Sequence, residues 1–285
     1  MKKVLVCVAA LALATAAFAQ NAPDITPGNG NPHAMAVRGW ARPGGGGSQN
    51  LVFHTGGKVL RNAHVVMIFW GSFPAGYTLA MQNFRNQFGT TGEFNTITQY
   101  YGTDDNDGSY GNIAQSNLAG GPADYFDSST PPANCTDAVV QSEVKKVIAA
   151  QGSTDYAAIY EVFIPSGSYS SSGTSTSCGG PNLSYCAYHS HYVDGAGRNV
   201  KYSIEPWAGC SGCQSFGNTT LDQDHFVCHE TREAVSDSLG NAWYDRQGNE
   251  ADDKCAWTPS PFIGTNGFGY QYEWSNANSG CIQTR

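Results

Sequence analysis

Charged side chains are scarce in this chain, where Asp, Glu, Lys and Arg together make up only 13% of the residues. Basic residues are the rarer kind, with 15 Lys and Arg against 23 Asp and Glu and a net charge of −8, and they form no cluster along the sequence. Contacts to nucleic-acid phosphates need clustered Lys and Arg, so this composition argues against a nucleic-acid-binding protein. An acidic, exported protein that can hold cations fits it better.

Long apolar runs are also missing, except at the start of the chain. There, Lys2 and Lys3 precede an apolar stretch over residues 4–17, and residues 17–19, Ala-Phe-Ala, form a small-x-small cleavage signal. No later segment approaches the roughly 18 uninterrupted apolar residues of a membrane span. We therefore expect residues 1–19 to be a secretory signal peptide. The mature protein should be soluble, secreted to the extracellular space or periplasm, and should carry a net charge of −10, since the signal peptide removes two lysines and no acid.

Cysteine is abundant enough to favour disulfides over catalysis by a free cysteine thiol. Eight of the nine cysteines follow the signal peptide, at positions 135, 178, 186, 210, 213, 228, 255 and 281. An even number in an oxidising compartment predicts up to four disulfides, whose pairing the sequence leaves open. Cys210 and Cys213 form a C-x-x-C pair with no second such pair to complete a zinc knuckle, so we assign them to the disulfide framework. Serine catalysis is disfavoured too, since no G-x-S-x-G motif is present.

The residues after the signal peptide divide into a leader and one domain. Residues 20–50 are rich in Pro, Gly and Asn and end in Gly-Gly-Gly-Gly-Ser over 44–48. Such a segment has nothing to bury and predicts a flexible leader. The folded part is then expected to begin near Leu51 and to span 51–285 as a single domain, with its candidate metal site in the C-terminal half.

Hydrophobic patterning divides this domain into strands and helices. Apolar or alternating runs predict strands, and apolar residues spaced three or four apart predict helices. The predicted order is a strand over 64–70, helices around 79–88 and 136–151, strands over 156–164, 185–193 and 201–207, and a helix over 219–237 before a loop-rich tail. This order predicts an α+β fold, with a mixed sheet, packed helices and stabilising disulfides. Zincin metallopeptidases have the same order of elements: a strand, helices, further strands and then a helix that carries the metal ligands.

The last predicted helix carries the densest set of ionisable side chains. Six of them fall within one arc of roughly 140° on a helical wheel: Asp222, His225, His229, Glu230, Glu233 and Asp237. Residues four apart lie about 5–6 Å from each other, as two ligands of one metal ion require. We prefer the pair His229 and Glu233, because Glu230 then stands beside the first ligand as the general base does in the H-E-x-x-H helix of zinc peptidases. His225 is a lesser ligand candidate. The plain alternative is the solvent-facing side of an amphipathic helix.

A catalytic zinc site needs a third protein ligand and a position for water. The loop after the helix offers Glu250 and Asp253, and the sequence does not separate them. Acidic and amide side chains at alternating positions over 245–253 also resemble an oxygen-ligand calcium loop, so calcium is the alternative or additional ion. His189 and His191, on one face of a predicted strand, have the spacing of metal ligands, but a polar strand surface explains the pair equally well.

Six segments together resemble the phosphate-induced protein 1 (EXORDIUM-like) family, most closely its members with an H-E-x-x-E helix. These segments are F-H-T-G-G-K-V-L over 53–60, I-F-W-G over 68–71, C-A-Y-H over 186–189, H-E-T-R-E-A-V-S-D over 229–237, A-W-Y-D over 242–245 and E-A-D-D-K-C-A-W over 250–257. The resemblance covers roughly residues 51–281, and its C-terminal segment is the most specific part. It implies a secreted protein of the cell surface or cell wall, linked in plants to growth responses, and it implies no established reaction.

Together these patterns predict a secreted zinc peptidase. A zinc ion held by His229, Glu233 and one loop carboxylate would activate water, and Glu230 would take the proton during cleavage of a peptide bond in an extracellular protein. The alternative is a non-enzymatic cell-surface or wall-associated protein that binds polysaccharide through its 6 Trp and 15 Tyr residues, or uses the metal for structure. Glu230 separates these hypotheses, since only the peptidase needs it. The oligomeric state is left open.

Overall fold

A computed structural model describes residues 32–39 and 49–285 of the chain. The strands of these residues are β1 His33–Ala36, β2 Val52–Phe53, β3 Lys58–Val59, β4 His64–Trp70, β5 Tyr101–Asp104, β6 Tyr110–Asn112, β7 Tyr125–Asp127, β8 Asn134–Thr136, β9 Ala158–Ile164, β10 Tyr169–Ser172, β11 Ser175–Thr176, β12 Tyr185–Val193, β13 Asn199–Pro206, β14 Trp243–Tyr244, β15 Phe262–Ile263, β16 Gly269–Tyr270, β17 Glu273–Ser275 and β18 Gly280–Ile282. The helices are α1 Tyr77–Phe88, α2 Gly92–Asn95, α3 Asp137–Gln151 and α4 Thr219–Ser236, with short 3-10 turns at Thr96–Gln99, Leu118–Gly120 and Ser211–Cys213.

The largest sheet has six strands in the order β1-β12-β13-β9-β4-β7. Strands β13, β9, β4 and β7 run parallel, whereas β12 is antiparallel to β13 and β1 is antiparallel to β12. The centre is formed by β4 and β9, which are almost continuously apolar, as parallel strands covered on both faces usually are. The sheet is therefore mixed, and its antiparallel end carries the polar strand β12.

Helices cover both faces of this sheet, and the alternation of side chains along β4 explains how. Val65, Met67 and Phe69 point into a core shared with α1 and α4, while Val66 and Ile68 point into a second core shared with α3. The α+β class with mixed sheets and packed helices is confirmed. Helix α4 lies across the first face, where it contacts β12, β13 and β16.

The N-terminal strand β1 corrects the predicted leader. The signal peptide and most of residues 20–50 lie outside the described residues, but His33–Ala36 falls inside that range and pairs with β12, His33 opposite His189. Met35 is completely buried against a small core that includes Phe226 of α4. The prediction of a leader with nothing to bury is wrong for this segment. The prediction used the average composition of about thirty residues, and a strand of four residues has little effect on that average.

Three disulfides are formed among the described residues: Cys178–Cys210, Cys186–Cys213 and Cys255–Cys281. The expected maximum of four is not reached, since the remaining two cysteines, Cys135 and Cys228, are buried free thiols. Cys228 lies within α4 and packs in the core rather than cross-linking the helix. No described helix has both the length and the apolar character needed to cross a membrane.

Candidate metal centre

Helix α4 positions most of the candidate ligands, and it is buried despite its polarity. It begins after Asn218, whose side-chain oxygen accepts hydrogen bonds from the amides of Thr220 and Leu221 at 3.0 and 3.3 Å. His229, Glu230 and Glu233 are at most 1% exposed, because the sheet covers one side of the helix and the C-terminal tail covers the other. The alternative of a solvent-facing polar helix surface is therefore wrong.

The first group of converging side chains contains His229, Glu233 and Asp253. The Nε2 atom of His229 lies 3.1 Å from Oε2 of Glu233 and 4.0 Å from Oδ1 of Asp253, and the three atoms lie within 4.8 Å of one another. Ligand atoms around a tetrahedral zinc ion are separated by roughly 3.3–3.5 Å, given bonds of about 2.0–2.1 Å. The three atoms therefore have nearly the spacing of zinc ligands, and of the two predicted loop carboxylates it is Asp253 that joins His229 and Glu233.

Gln271 fixes the orientation of the His229 ring. Its side-chain amide donates to the carbonyl and to the carboxylate of Asp252 at 2.9 and 2.8 Å, so its Oε1 atom faces the histidines. That oxygen accepts from Nδ1 of His229 at 3.1 Å, so Nδ1 carries a proton and Nε2 is directed toward Glu233 and Asp253. A polar partner that fixes the tautomer in this way is typical of a metal-ligating histidine.

His225, the lesser ligand candidate, lies outside the converging groups. Its Nε2 atom shares Oε1 of Gln271 with His229, at a distance of 2.7 Å. Its ring contacts Trp257 edge-on, with the ring centroids 4.9 Å apart. Burial lowers the pKa of His225 to about 3, with His229 adding to the effect, so the ring is neutral in the folded protein. His225 thus helps to position Gln271 rather than a metal ion.

Glu230 points toward strand β12. Its Oε2 atom accepts a hydrogen bond from Nδ1 of His189 at 3.0 Å, and Oε2 of Glu233 lies 3.8 Å from the same nitrogen. The second carboxylate oxygen of Glu230, Oε1, is buried and has no hydrogen-bond partner in the described part of the chain. Burial raises the pKa of Glu230 well above its usual range, and a cation beside it would favour the ionised form.

Glu250, the other predicted loop ligand, belongs to a neighbouring group with His33 and His189. Its Oε2 atom lies 2.7 Å from Nδ1 of His33 and 3.8 Å from Nε2 of His189. The H-x-H spacing did indicate His189, whereas no sequence signal indicated His33. His191 belongs to no group, because it lies two residues further along β12, opposite Lys201.

Altogether seven ionisable side chains meet in the buried space between α4, β12, β1 and the loop after α4: His33, His189, His229, Glu230, Glu233, Glu250 and Asp253. Four carboxylates and three imidazoles removed from water carry a large desolvation cost unless opposite charge offsets it. A bound divalent cation supplies such a charge and is often the largest local charge in a site of this kind. A bound cation, or protonation of carboxyls such as Glu230, would offset this cost.

Two acidic residues of the predicted calcium loop have other partners. The Oδ1 atom of Asp245 accepts from the amides of Gln247 and Asn249, both at 2.9 Å, and its Oδ2 accepts from Lys254 at 3.0 Å. Asp252 pairs with Arg232 inside the core. In the described chain neither aspartate joins a converging group, so the oxygen-rich loop is not assembled around an ion in the way its sequence indicated.

The chain matches no known family model, no curated protein and no solved structure. The function of the centre is therefore inferred from the arrangement of its side chains alone.

Asp224, one turn before His229 on α4, predicts a specific pH dependence of stability. Burial raises the pKa of this carboxyl to about 8, opposed by a hydrogen bond from the amide of Gly269 at 3.1 Å. The folded state holds the proton up to about pH 8, whereas the unfolded chain releases it near pH 4. The contribution to stability is therefore complete below about pH 4, decreases as the pH rises, and is lost above about pH 8.

Asp224→Asn should remove this dependence, because an amide resembles the protonated acid and keeps an acceptor for Gly269. We expect equal urea-unfolding free energies for the variant and wild type near pH 4. At pH 8.5 the variant should be more stable by several kcal/mol, up to about 5, since one pKa unit corresponds to about 1.4 kcal/mol. A difference between the two proteins that does not change with pH would contradict the buried, protonated state of Asp224.

Proposed function

We propose that this chain is a secreted, EXORDIUM-like, metal-dependent peptidase whose zinc ion is held by His229, Glu233 and Asp253. The observation that carries the proposal is the convergence of His229 Nε2, Glu233 Oε2 and Asp253 Oδ1 within 4.8 Å, beside Glu230. One nitrogen and two oxygen ligands are compatible with zinc, and calcium is the alternative ion because two of the three ligands are carboxylates. The three disulfides suit the oxidising environment of an exported protein.

In the proposed reaction each residue of the centre has a separate role. His229, Glu233 and Asp253 would hold the ion, and Gln271 accepts a hydrogen bond from Nδ1 of His229, so that Nε2 is the nitrogen directed toward the ion. When bound, zinc polarises a substrate carbonyl and lowers the pKa of water. Glu230 would serve as the general base through Oε1, since its Oε2 lies 3.0 Å from Nδ1 of His189, and would pass the proton on to the leaving amine.

The architecture is compatible with a zincin-like arrangement. A mixed sheet with an antiparallel end lies beneath the ligand helix, and the third ligand comes from the loop that follows this helix. The Cys255–Cys281 disulfide joins the end of that loop to β18 and so limits the movement of Asp253. Fold likeness alone assigns no reaction, so the proposal depends on the side chains.

A structural metal site in a non-enzymatic cell-surface protein is the second candidate. It is favoured by the depth of the cluster, because His229, Glu230 and Glu233 are almost completely buried. In that case the ion would tie the loop after α4 to the helix and to the sheet. Binding to wall polysaccharide would then use other surfaces of the molecule, and Glu230 would be dispensable for function.

Metal content tests the ligand set directly. We expect zinc in the purified wild-type protein, measured by elemental mass spectrometry, and about one ion per chain fewer in His229→Ala, because the substitution removes the only nitrogen ligand of the first group. His64→Ala is the control, since His64 pairs with Asp155 outside the converging groups. Equal zinc content in wild type and His229→Ala after zinc titration would refute the proposed ligand set.

A further inference from the structure

The second group, with ligand atoms from His33, His189 and Glu250, is complete enough to be a metal site in its own right. His33, His189 and Glu250 each offer one ligand atom, these atoms lie within 4.8 Å of one another, and all three side chains are buried. The separations of 2.7 and 3.8 Å from Glu250 Oε2 to the two nitrogens bracket the roughly 3.3–3.5 Å expected around tetrahedral zinc. These ligand atoms differ from those of the first group.

The hydrogen bonding of His189 points to a ligand for its other nitrogen. Nδ1 of His189 lies 3.0 Å from Oε2 of Glu230, so with Glu230 ionised, as a nearby cation favours, the ring proton is on Nδ1 and Nε2 carries a lone pair. That Nε2 atom is buried and has no hydrogen-bond partner among the described residues, although it faces Glu250. A carboxylate that holds one histidine nitrogen while the other binds metal is a frequent arrangement around zinc.

We propose that His33, His189 and Glu250 bind a second zinc ion, which fastens the N-terminal strand β1 to the loop after α4. Two imidazoles and one carboxylate favour zinc over calcium or magnesium, which prefer oxygen ligands throughout. The three ligands come from β1, β12 and this loop, so the ion joins parts of the chain more than 200 residues apart. Among the described strands β1 pairs with β12 alone, and the ion would give it a second attachment.

The two sites are adjacent, and Glu230 connects them. Its Oε2 atom orients His189 of the second site, while its Oε1 atom is the proposed proton acceptor of the first. The second ion therefore fixes the position of the proposed base through His189. This link to catalysis rests on the proposed function, whereas the binding of the second ion does not.

Zinc stoichiometry tests the inference. Wild type, His33→Ala, Glu250→Gln and His191→Ala are stripped with a chelator, reloaded with zinc, freed of loosely bound metal and measured by elemental mass spectrometry. We expect about two ions per chain in wild type and about one in His33→Ala and in Glu250→Gln. His191→Ala is the matched control from the same strand face and should keep both ions. Glu250→Gln conserves the side-chain size, so it tests the site even if His33→Ala folds poorly.

The outcomes distinguish this site from the proposed peptidase site. A single ion that is lost in His33→Ala and kept in His229→Ala would support the second site and remove the first. A single ion lost in both variants would overturn the inference, because the seven side chains would then form one site. Retention of about two ions in both His33→Ala and Glu250→Gln would overturn it as well.

Discussion

The Glu230→Gln variant is expected to lose about 100-fold or more of the peptidase activity while keeping its zinc. A positioned general base typically contributes about 10²- to 10⁴-fold to a rate, and glutamine cannot take up the proton. Glutamine still offers an acceptor for Nδ1 of His189, so the geometry around the metal is preserved. The measurement is the rate of cleavage of an unstructured protein substrate, together with zinc content and Tm.

A buried acid beneath the same helix provides the matched control. Glu161 on β9 is completely buried and accepts a hydrogen bond from Thr231 at 2.7 Å, and burial raises its pKa to about 8. Glu161→Gln therefore replaces an already protonated acid and should leave activity unchanged. Full activity in Glu230→Gln would refute the catalytic role. An inactive wild type that nevertheless binds zinc would assign the ion a structural role.

The sequence predicted the helix and the proximity of His229 to Glu233 well because both depend on local spacing. A histidine and a glutamate four residues apart on a helix meet whatever the rest of the fold does, so His229 and Glu233 were correctly placed together. The strands β4 and β12 were likewise predicted with their observed ends, since each is a continuous β-rich run. Local sequence patterns therefore predicted these elements and this pair of neighbouring side chains.

The parts that depend on tertiary contacts were not predictable. His33 reaches the centre only because β1 pairs with β12, a contact between residues 156 positions apart with no trace in local composition. Gln271 lies 42 residues after His229 and carries no motif, although it sets the histidine tautomer. The choice between Glu250 and Asp253 also required the path of the loop, and the structure divides them between two groups.

The helix that presents the ligands also depends on a buried arginine, and its replacement should be among the most destabilising single changes in this protein. Arg232 is completely buried and pairs with Asp252 and Glu273, with Nε 3.0 Å from Oδ1 of Asp252 and 3.1 Å from Oε2 of Glu273. Its Nη1 also donates to the carbonyl of Glu93 at 3.2 Å. Arg232 thus joins α4 to α2 and to the C-terminal tail.

Arg232→Met should cost about 3–5 kcal/mol of unfolding free energy, because it leaves two carboxyls buried without their counter-charge. For a domain of this size each kcal/mol shifts Tm by about 2–4 °C, so we expect Tm to fall by about 6–20 °C. Differential scanning calorimetry and urea unfolding measure both quantities. The control is Lys145→Met, since Lys145 is exposed on α3 and its Nζ lies over the ring of Tyr192, 4.6 Å from the centroid, a contact worth about 0.5–1 kcal/mol at an exposed site.

A second substitution distinguishes lost charge pairing from lost packing. Glu273→Gln removes one of the two stranded carboxyls, so the double variant Arg232→Met with Glu273→Gln should recover part of the stability that Arg232→Met loses. If packing alone mattered, the second change would bring no recovery. Because Asp252 also accepts from the amide of Gln271, which orients His229, the weakened pairing should loosen zinc binding as well. An unfolding free energy of Arg232→Met within 1 kcal/mol of wild type would show that Asp252 and Glu273 are neutral in the folded protein and that this ion network does not hold α4 in place.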